Sequence, residues 1–518
     1  MDTLNTAQLL ADLPPRISAI PHRWAAQTPH AHALHDGQRH WTYAELAAAV
    51  DHAAALLRAW QLRPGDRLAV VGENCVAQVV LSFAAADVDA WIVHINGRLT
   101  AREVDGVLEH SGARRAIYLA APASPETAAH GARNGAVAAA TVDASLGQWL
   151  VGPLNADCVP EPVHAAPEQQ VAALLYTTGT TGQPKGVMLT HRNLLFIAAV
   201  SSTLRGLTPA DRAYGVLPIS HVYGLTSVML GTLYAGACLY LCPRFTPDAL
   251  LAALRDDRLT IVQGVPAMYA RLLEKLGGAQ PRLDTRLRFA YAGGSPLPPS
   301  LKAQVEQLLG LPLHNGYGLT ETSPTVSQTR LDRPRSDTSV GQPIPGIEVR
   351  VCGGANGAGE DGAGELWVRG PNVMRGYYRE PALTAAVLDA DGWLNTGDMV
   401  RQDADGALHL VGRTKELIIR AGFNIYPLEV ETVLNAHPSV TQSAVVGRPA
   451  ADGDEQVLAF VELDPRRPVT MAALHLYLRD QLAPYKRPSQ IIAMDALPAA
   501  ASGKILKSRL AAAPACGD

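Results

Sequence analysis

The stretch YTTGTTGQPKGVMLTH, residues 176–191, decides how this chain is read. Four threonines and two glycines fall within residues 177–182, and a lysine, Lys185, follows Pro184. It is not the familiar G-x-x-x-x-G-K-[ST] nucleotide loop, yet the chemistry suits a phosphate clamp. Glycines leave backbone N–H groups open to close approach and permit turn dihedrals. Threonine hydroxyls add donors, and Lys185 adds a mobile positive charge for a polyphosphate. A strand-like run, VAALLYT, precedes the loop, and the spacing predicts a helix from about Asn193 whose N-terminus faces it.

Working outward, the 518-residue chain exceeds one ordinary core, so two or more domains are expected. A hydrophobic content of 47% marks a globular protein. No apolar run reaches the ~18 residues of a membrane-spanning helix. The N-terminus lacks a basic segment followed by an apolar one, so no secretory signal is expected. The six cysteines are scattered and complete no zinc set, which points to free thiols in a reducing cytoplasm. A net charge of -4 without a basic block argues against nucleic acid.

Before about residue 340, strand-like runs (RLAVVG, AWIVHI, RAIYL, ACLYLC, LTIVQGVP, RFAYAGG) alternate with helix-like ones. That pattern predicts parallel sheet in layered α/β units. Residues 121–168, rich in Ala, Gly and Pro, read as a variable connection. From about 340, short strands separated by Gly and Asp turns predict antiparallel β structure. After GRTKE (412–416) comes a compact α+β tail of about a hundred residues.

Five further motifs follow the loop in order: AGGSPLP (292–298), NGYGLTET (315–322), NTGD (395–398), GRTKELIIRAGFNIYPLEVE (412–431) and ASGKILK (501–507). Together with WTYAEL (41–46), this set resembles the adenylate-forming superfamily of acyl- and aryl-CoA synthetases, peptide-synthetase adenylation domains and luciferase. The resemblance implies a multidomain α/β fold. A large N-terminal AMP-binding part, residues 1–412, would hold two α/β subdomains and a β-barrel-like subdomain. A hinge at 413–415 would carry a small mobile α+β domain, residues 416–518.

The chemistry it implies has two steps. A carboxylate is a poor electrophile because oxide is a poor leaving group. Joined to AMP from ATP, with release of pyrophosphate, it gains a good one, and a thiol then attacks the acyl carbon. The first step brings two anions together and needs cations and donors around the α-phosphate.

By match to the family motifs, Thr177, Thr178, Gly179, Thr180, Thr181 and Lys185 hold the β- and γ-phosphates. Glu321 is the magnesium carboxylate, and Thr320 a phosphate contact. Asp398 accepts from the ribose hydroxyls, joined there by Arg413. Gly293, Gly294 and Tyr317 flank the adenine. Lys504 bridges the carboxylate and the α-phosphate as the main catalytic residue. Lys415 is the hinge between an adenylating and a thioester-forming pose. Gly422 borders the CoA pantetheine tunnel, and Asn424 contacts substrate or phosphate oxygen.

His221, in PISHVYG, matches a gate at the acid pocket, which Tyr223, Gly316 and Gly318 also line. Its wall is expected from 221–227, 265–269, 291–295 and 316–326, mostly small or apolar, so the acid is expected to be apolar, aromatic or medium-chain aliphatic. Arg288, a candidate for a second carboxylate, is expected at a strand start outside the pocket. With no carrier segment after Lys504, coenzyme A is the expected thiol and a separate carrier protein the alternative. A non-catalytic binding relative is the reading from another class, against which Lys504, Glu321 and Asp398 all stand. The expected partners are the small-molecule acid, ATP, magnesium and CoA, in a monomer or homodimer.

Overall fold

The computed structural model describes residues 4–120, 124–140, 142–178, 184–277, 282–353, 362–420, 423–449, 455–499 and 505–511. Gly179, Thr180, Thr181, Gly422 and Lys504 lie outside these.

Two large mixed sheets make up most of the chain. In the eight-stranded sheet, Arg67–Gly72 runs at the centre, parallel to Trp91–Asn96 and Arg115–Leu119, and Val171–Thr178 joins parallel to Trp91–Asn96. Every residue of Arg67–Gly72 is buried, as expected of a strand covered on both faces. In the nine-stranded sheet, Leu313–Gly318, Phe289–Ala292, Ile261–Gly264, Arg212–Gly215, Cys238–Leu241 and His32–His35 run parallel in that spatial order. Antiparallel strands close both edges.

Helix Val76–Asp87 is buried from Val76 to Ala86, and helix His191–Leu204 nearly so. A helix apolar all round belongs between layers, and one hydrophobic core joins both helices to strands of both sheets. Capping boxes fix several helix starts: Thr42 with Glu45, Thr100 with Glu103, and Thr190 with Asn193.

The β-rich texture beyond residue 340 forms a four-stranded antiparallel sheet: Glu348–Cys352, Gly364–Arg369, Leu394–Gln402 and Leu408–Arg413. Past the turn Thr414–Glu416 come a hairpin (Ile418–Arg420, Phe423–Ile425) and a three-stranded sheet (Val440–Pro449, Glu455–Leu463, Gln490–Ala493). Their apolar residues form clusters drawn wholly from beyond residue 417. The stretch read as a connection at 121–168 is more ordered than its composition suggests. It holds helix Pro125–Arg133, edge strand Val137–Ala138 and its neighbour Trp149–Val151, with Trp149 fully buried against the core.

The loop at 176–191 differs from the expectation in one respect. It is the tip of a β-hairpin, Val171–Thr178 paired antiparallel with Pro184–Thr190. Helix His191–Leu204 begins at the far end of that hairpin, beside Val171, so its N-terminus does not face the loop. Seven strand residues intervene, about 23 Å at a strand's rise.

Candidate active site

A cavity of about 930 Å³ opens where these units meet. Its wall is built from residues at or just beyond the C-terminal ends of parallel strands: His94 to Asn96, Tyr176 to Thr177, Gly293 to Gly294 and Gly316 to Glu321. Open α/β sheets place ligands at such ends.

On one side sit the residues expected to bind phosphate. Thr177 and Lys185 are cross-strand neighbours in the hairpin, and both line the cavity. The Lys185 ammonium lies 5.2 Å from the ring centre of Tyr377, a residue the sequence reading missed. Strand Gly376–Tyr377 pairs with the hairpin at Met188 and Val187. The Tyr377 hydroxyl donates to Oε1 of Glu321 at 2.8 Å. Burial, and then the Glu321 carboxylate, push the Tyr377 phenol well above its ordinary range.

Thr320 and Glu321 occupy the single turn Thr320–Thr322 just after strand Leu313–Gly318. Gly318 makes that turn feasible, since a Cβ there would lie 1.7 Å from the carbonyl oxygen of Pro324. One hard carboxylate facing a lysine and a threonine fits a magnesium ion that takes its other ligands from phosphate and water.

Next to it lies a buried polar cluster. Asp398 and Arg413 are cross-strand partners, with Arg413 Nε 2.9 Å from Oδ1 of Asp398. The Tyr317 hydroxyl donates to Oδ2 of Asp398 at 2.6 Å. Burial opposes the Arg413 charge, yet Asp398 holds its pKa above the ordinary value. Burial and the same carboxylate raise the Tyr317 phenol. Tyr317, Gly397 and Arg413 face the cavity, with Asp398 behind them at 4% exposure. Across from them, Gly294 has φ +79°, and a Cβ on Gly293 would come within 3.1 Å of the Tyr223 ring.

The residues expected to line the acid pocket also converge. His221 is exposed and lines the cavity, and its Nδ1 accepts from the backbone N–H of Tyr223 at 3.2 Å. Tyr223 starts a π-helical segment, Tyr223–Leu230, and burial pushes its phenol up to about 12. Gly316 and Gly318 line the wall, whereas 265–269 pack behind it, with the Tyr269 hydroxyl donating to the backbone oxygen of Tyr291. Arg288 immediately precedes strand Phe289–Ala292 and donates to Asp211 and the Gly206 carbonyl, away from the cavity as expected.

The wall also holds polar residues from outside the four expected segments. Arg205, Gln328 and His94 also line the cavity. Burial lowers His94 to about 3, so it is a neutral ring, 2.9 Å from the Ser82 hydroxyl.

The C-terminal unit reaches the same cavity through Lys415, Glu416, Leu506, Lys507 and Ser508. Ala499 and Ile505 pair as an antiparallel bridge flanking residues 500–504. Lys507 Nζ lies 2.8 Å from both Glu416 and Glu431, tying the turn Thr414–Glu416 to helix Pro427–Asn435. Asn424 stands in strand Phe423–Ile425, and Thr178 ends the first strand of the hairpin.

Comparison with known proteins agrees with this layout. The family model for the AMP-binding enzyme matches residues 21–378, and that for the AMP-binding enzyme C-terminal domain matches 429–504. A feruloyl-CoA synthase of an Amycolatopsis species is 37% identical over 502 residues, covering 95% of this chain and 98% of its own. ATP-bound MatB from Rhodopseudomonas palustris superposes with a TM-score of 0.83 at 31% identity, over 95% of this chain and 98% of its own. The o-succinylbenzoate CoA synthetase MenE from Bacillus subtilis, solved with its acyl-adenylate intermediate, gives 0.80 at 29% identity, over 96% and 98%.

Proposed function

The chain belongs to the AMP-binding enzyme family and is an AMP-forming acyl-CoA synthetase, and from that premise we propose how its residues divide the work. The observation that carries the proposal is one cavity bordered at once by Lys185, the Thr320–Glu321 turn, the Tyr317–Asp398–Arg413 cluster and Leu506 to Ser508 of the C-terminal unit.

In the first step a carboxylate oxygen of the acid attacks the α-phosphorus of ATP, and the bond to the β-phosphate bridging oxygen breaks. Lys185, Thr177, Thr178 and the loop residues Gly179, Thr180 and Thr181 hold the departing pyrophosphate. Glu321, oriented by the Tyr377 hydroxyl, would hold a magnesium ion, which would supply positive charge to the phosphates. Asp398 and Arg413 fix the ribose, and Gly293, Gly294 and Tyr317 enclose the adenine. Lys504 pairs the incoming carboxylate with the α-phosphate; the cavity position of Leu506 and Lys507, just after it, supports this role.

In the second step the CoA sulfur attacks the acyl carbon and AMP leaves with the bonding electrons, the thiol proton passing to solvent. We assign residues 1–412 to the nucleotide-binding part, 413–415 to the hinge and 416–518 to the domain that turns. Turning at Lys415 would exchange Lys504 for Gly422 and Asn424 at the tunnel. His221 gates the acid pocket beside Tyr223, Gly316 and Gly318, and the acid has an apolar body, aromatic or medium-chain aliphatic.

The test is pyrophosphate release with ATP and magnesium across benzoates, cinnamates, fatty acids and dicarboxylates, with and without CoA. Release that depends on one acid class, with an acyl-CoA product, is expected. Acyl-AMP that stays bound whatever the CoA concentration would redirect the reading to a carrier-loading ligase, and ATP bound with no release on any acid would overturn it.

A further inference from the structure

The acid pocket contains a buried cation that the two-step reaction does not use. Arg205 immediately follows helix His191–Leu204, is 4% exposed and borders the cavity. Its Nε and Nη2 both donate to Oε1 of Gln328, at 3.2 and 2.8 Å, and its Nη1 donates to Oε1 of Gln263 at 2.6 Å. The guanidinium stacks 4.5 Å from the ring centre of Tyr291. These partners are all neutral, and among the described residues no carboxylate forms an ion pair with it. Arginine is seldom buried without a counter-charge, because desolvation of the cation is then uncompensated.

The hydrogen bonds also fix which way the amides point. A guanidinium can only donate, so both glutamines turn their oxygens toward Arg205 and their NH2 groups away. The Gln263 nitrogen donates to the Ser227 carbonyl at 3.3 Å. The Gln328 nitrogen has no partner among the described residues, and Gln328 lines the cavity. The glutamines take three of the five guanidinium N–H groups, and the two that remain, one on each terminal nitrogen, have the Tyr291 hydroxyl and the cavity as their surroundings. This part of the wall therefore offers donors and positive charge to whatever enters.

Its place along the pocket follows from strand register. Gly318 leads into the Thr320–Glu321 turn, and Gly316, two residues back on the same strand, sits opposite Gln328. Two strand residues span about 7 Å, roughly an aromatic ring or a short methylene chain. Gly316 keeps the passage open, since a Cβ there would lie 3.6 Å from that of Gln328.

We propose that Arg205, held by Gln263 and Gln328, reads the far end of the acid, and that the substrate carries there an oxygen acceptor, a carboxylate before a carbonyl, rather than a hydrocarbon terminus. This rests on the ligase reading above and narrows its acid class: the body is apolar, the end is not.

Two matched series test it: heptanoate, 6-oxoheptanoate and heptanedioate, and cinnamates bearing a 4-ethyl, 4-acetyl or 4-carboxy group. Pyrophosphate release with CoA gives kcat/KM for each, and ATP binding and thermal melting check that each variant folds. The wild type is expected to favour the oxygen-bearing ends over the hydrocarbon ends by about 100-fold or more, as sites built to bond a polar group do. Arg205→Met should shrink that ratio below about tenfold without slowing the hydrocarbon acids, because a buried cation replaced by a similar apolar side chain is structurally tolerated. Gln328→Leu, which leaves the arginine in place, should shrink it in the same direction. A wild-type preference for hydrocarbon ends, or an equal loss on all acids in both variants, would overturn the inference and leave the ligase intact. Bound ATP with no release on any acid of either series would overturn both.

Discussion

Replacing Asp398 by asparagine tests the nucleoside side with the smallest possible change. The carboxylate is 4% exposed, accepts from the Tyr317 hydroxyl at 2.6 Å through Oδ2, and lies 2.9 Å from Arg413 Nε through Oδ1 as an ion pair. A carboxylate has about four acceptor sites, enough to serve the Tyr317 hydroxyl and both ribose hydroxyls while facing Arg413, whereas an amide has a single oxygen. In Asp398→Asn the charge that faces Arg413 is lost, the one remaining oxygen is shared with the Tyr317 hydroxyl, and at least one ribose hydroxyl loses a charged acceptor. Such a bond contributes about 1.5–3 kcal/mol, or about 10- to 150-fold in ATP affinity. The assay is titration calorimetry of ATP and of 2′,3′-dideoxy-ATP on both proteins. The wild type should prefer ATP by at least that factor, and the variant should nearly lose the preference while binding the dideoxy compound about as before. An undiminished preference for ATP in the variant would show that Asp398 only positions Tyr317 and Arg413.

Four further outcomes follow from the same geometry. Lys504→Ala should abolish acyl-adenylate formation yet largely spare thioester formation from supplied acyl-AMP, so near-normal adenylation would remove Lys504 from its role. Gly316→Ala, whose new methyl meets nothing closer than 3.4 Å, should keep the melting temperature and raise KM for bulky acids, whereas Gly318→Ala, 1.7 Å from a carbonyl oxygen, should lose the Thr320–Glu321 turn and all activity; equal kinetics for the two would contradict the packing. Lys507→Met leaves Glu416 and Glu431 without the cation that lies 2.8 Å from each, and should destabilise the C-terminal unit by about 3–5 kcal/mol, read as faster hydrogen exchange in 440–463 with the core of the large domain unchanged. Buried neutral His94 (about 3) and His314 (about 4) have folded pKa values below the unfolded value, so the unfolded state takes up protons first and stability falls as pH drops below about 6.5, by about 1.4 kcal/mol per unit for each; a melting temperature flat from pH 7 to 5 would refute this.

What the sequence disclosed and what it hid divide along a physical line. Lys185, Thr320, Glu321, Asp398 and Arg413 stand in short runs whose glycines and turn residues are themselves required by the local backbone, as the 1.7 Å approach at Gly318 shows. Their chemistry is carried by neighbours in the chain and can be read there. The hairpin was hidden because PKGVMLT has no clean alternation and its return strand is recognisable only once paired. Helix 125–133 was hidden because it is only nine residues long within a stretch rich in Ala, Gly and Pro.

Tyr377 and Arg205 were hidden for a stronger reason, because their meaning lies in partners far along the chain. Tyr377 bonds Glu321 across 56 residues, and Arg205 bonds Gln263 and Gln328 across 58 and 123. In TLRGL an arginine near a helix end reads as a solvated surface charge, and nothing within a helical turn contradicts that. Only the assembled sheet places it under Tyr291 with two amide oxygens turned toward it. The same asymmetry separates reaction from specificity in this protein. The groups that handle phosphate must meet fixed atoms of ATP, and short motifs suffice to present them. The groups that select the acid need only converge from different strands, so identical motifs can front very different pockets, and the motif-bearing segments alone leave out Arg205, which borders the cavity from the end of a helix.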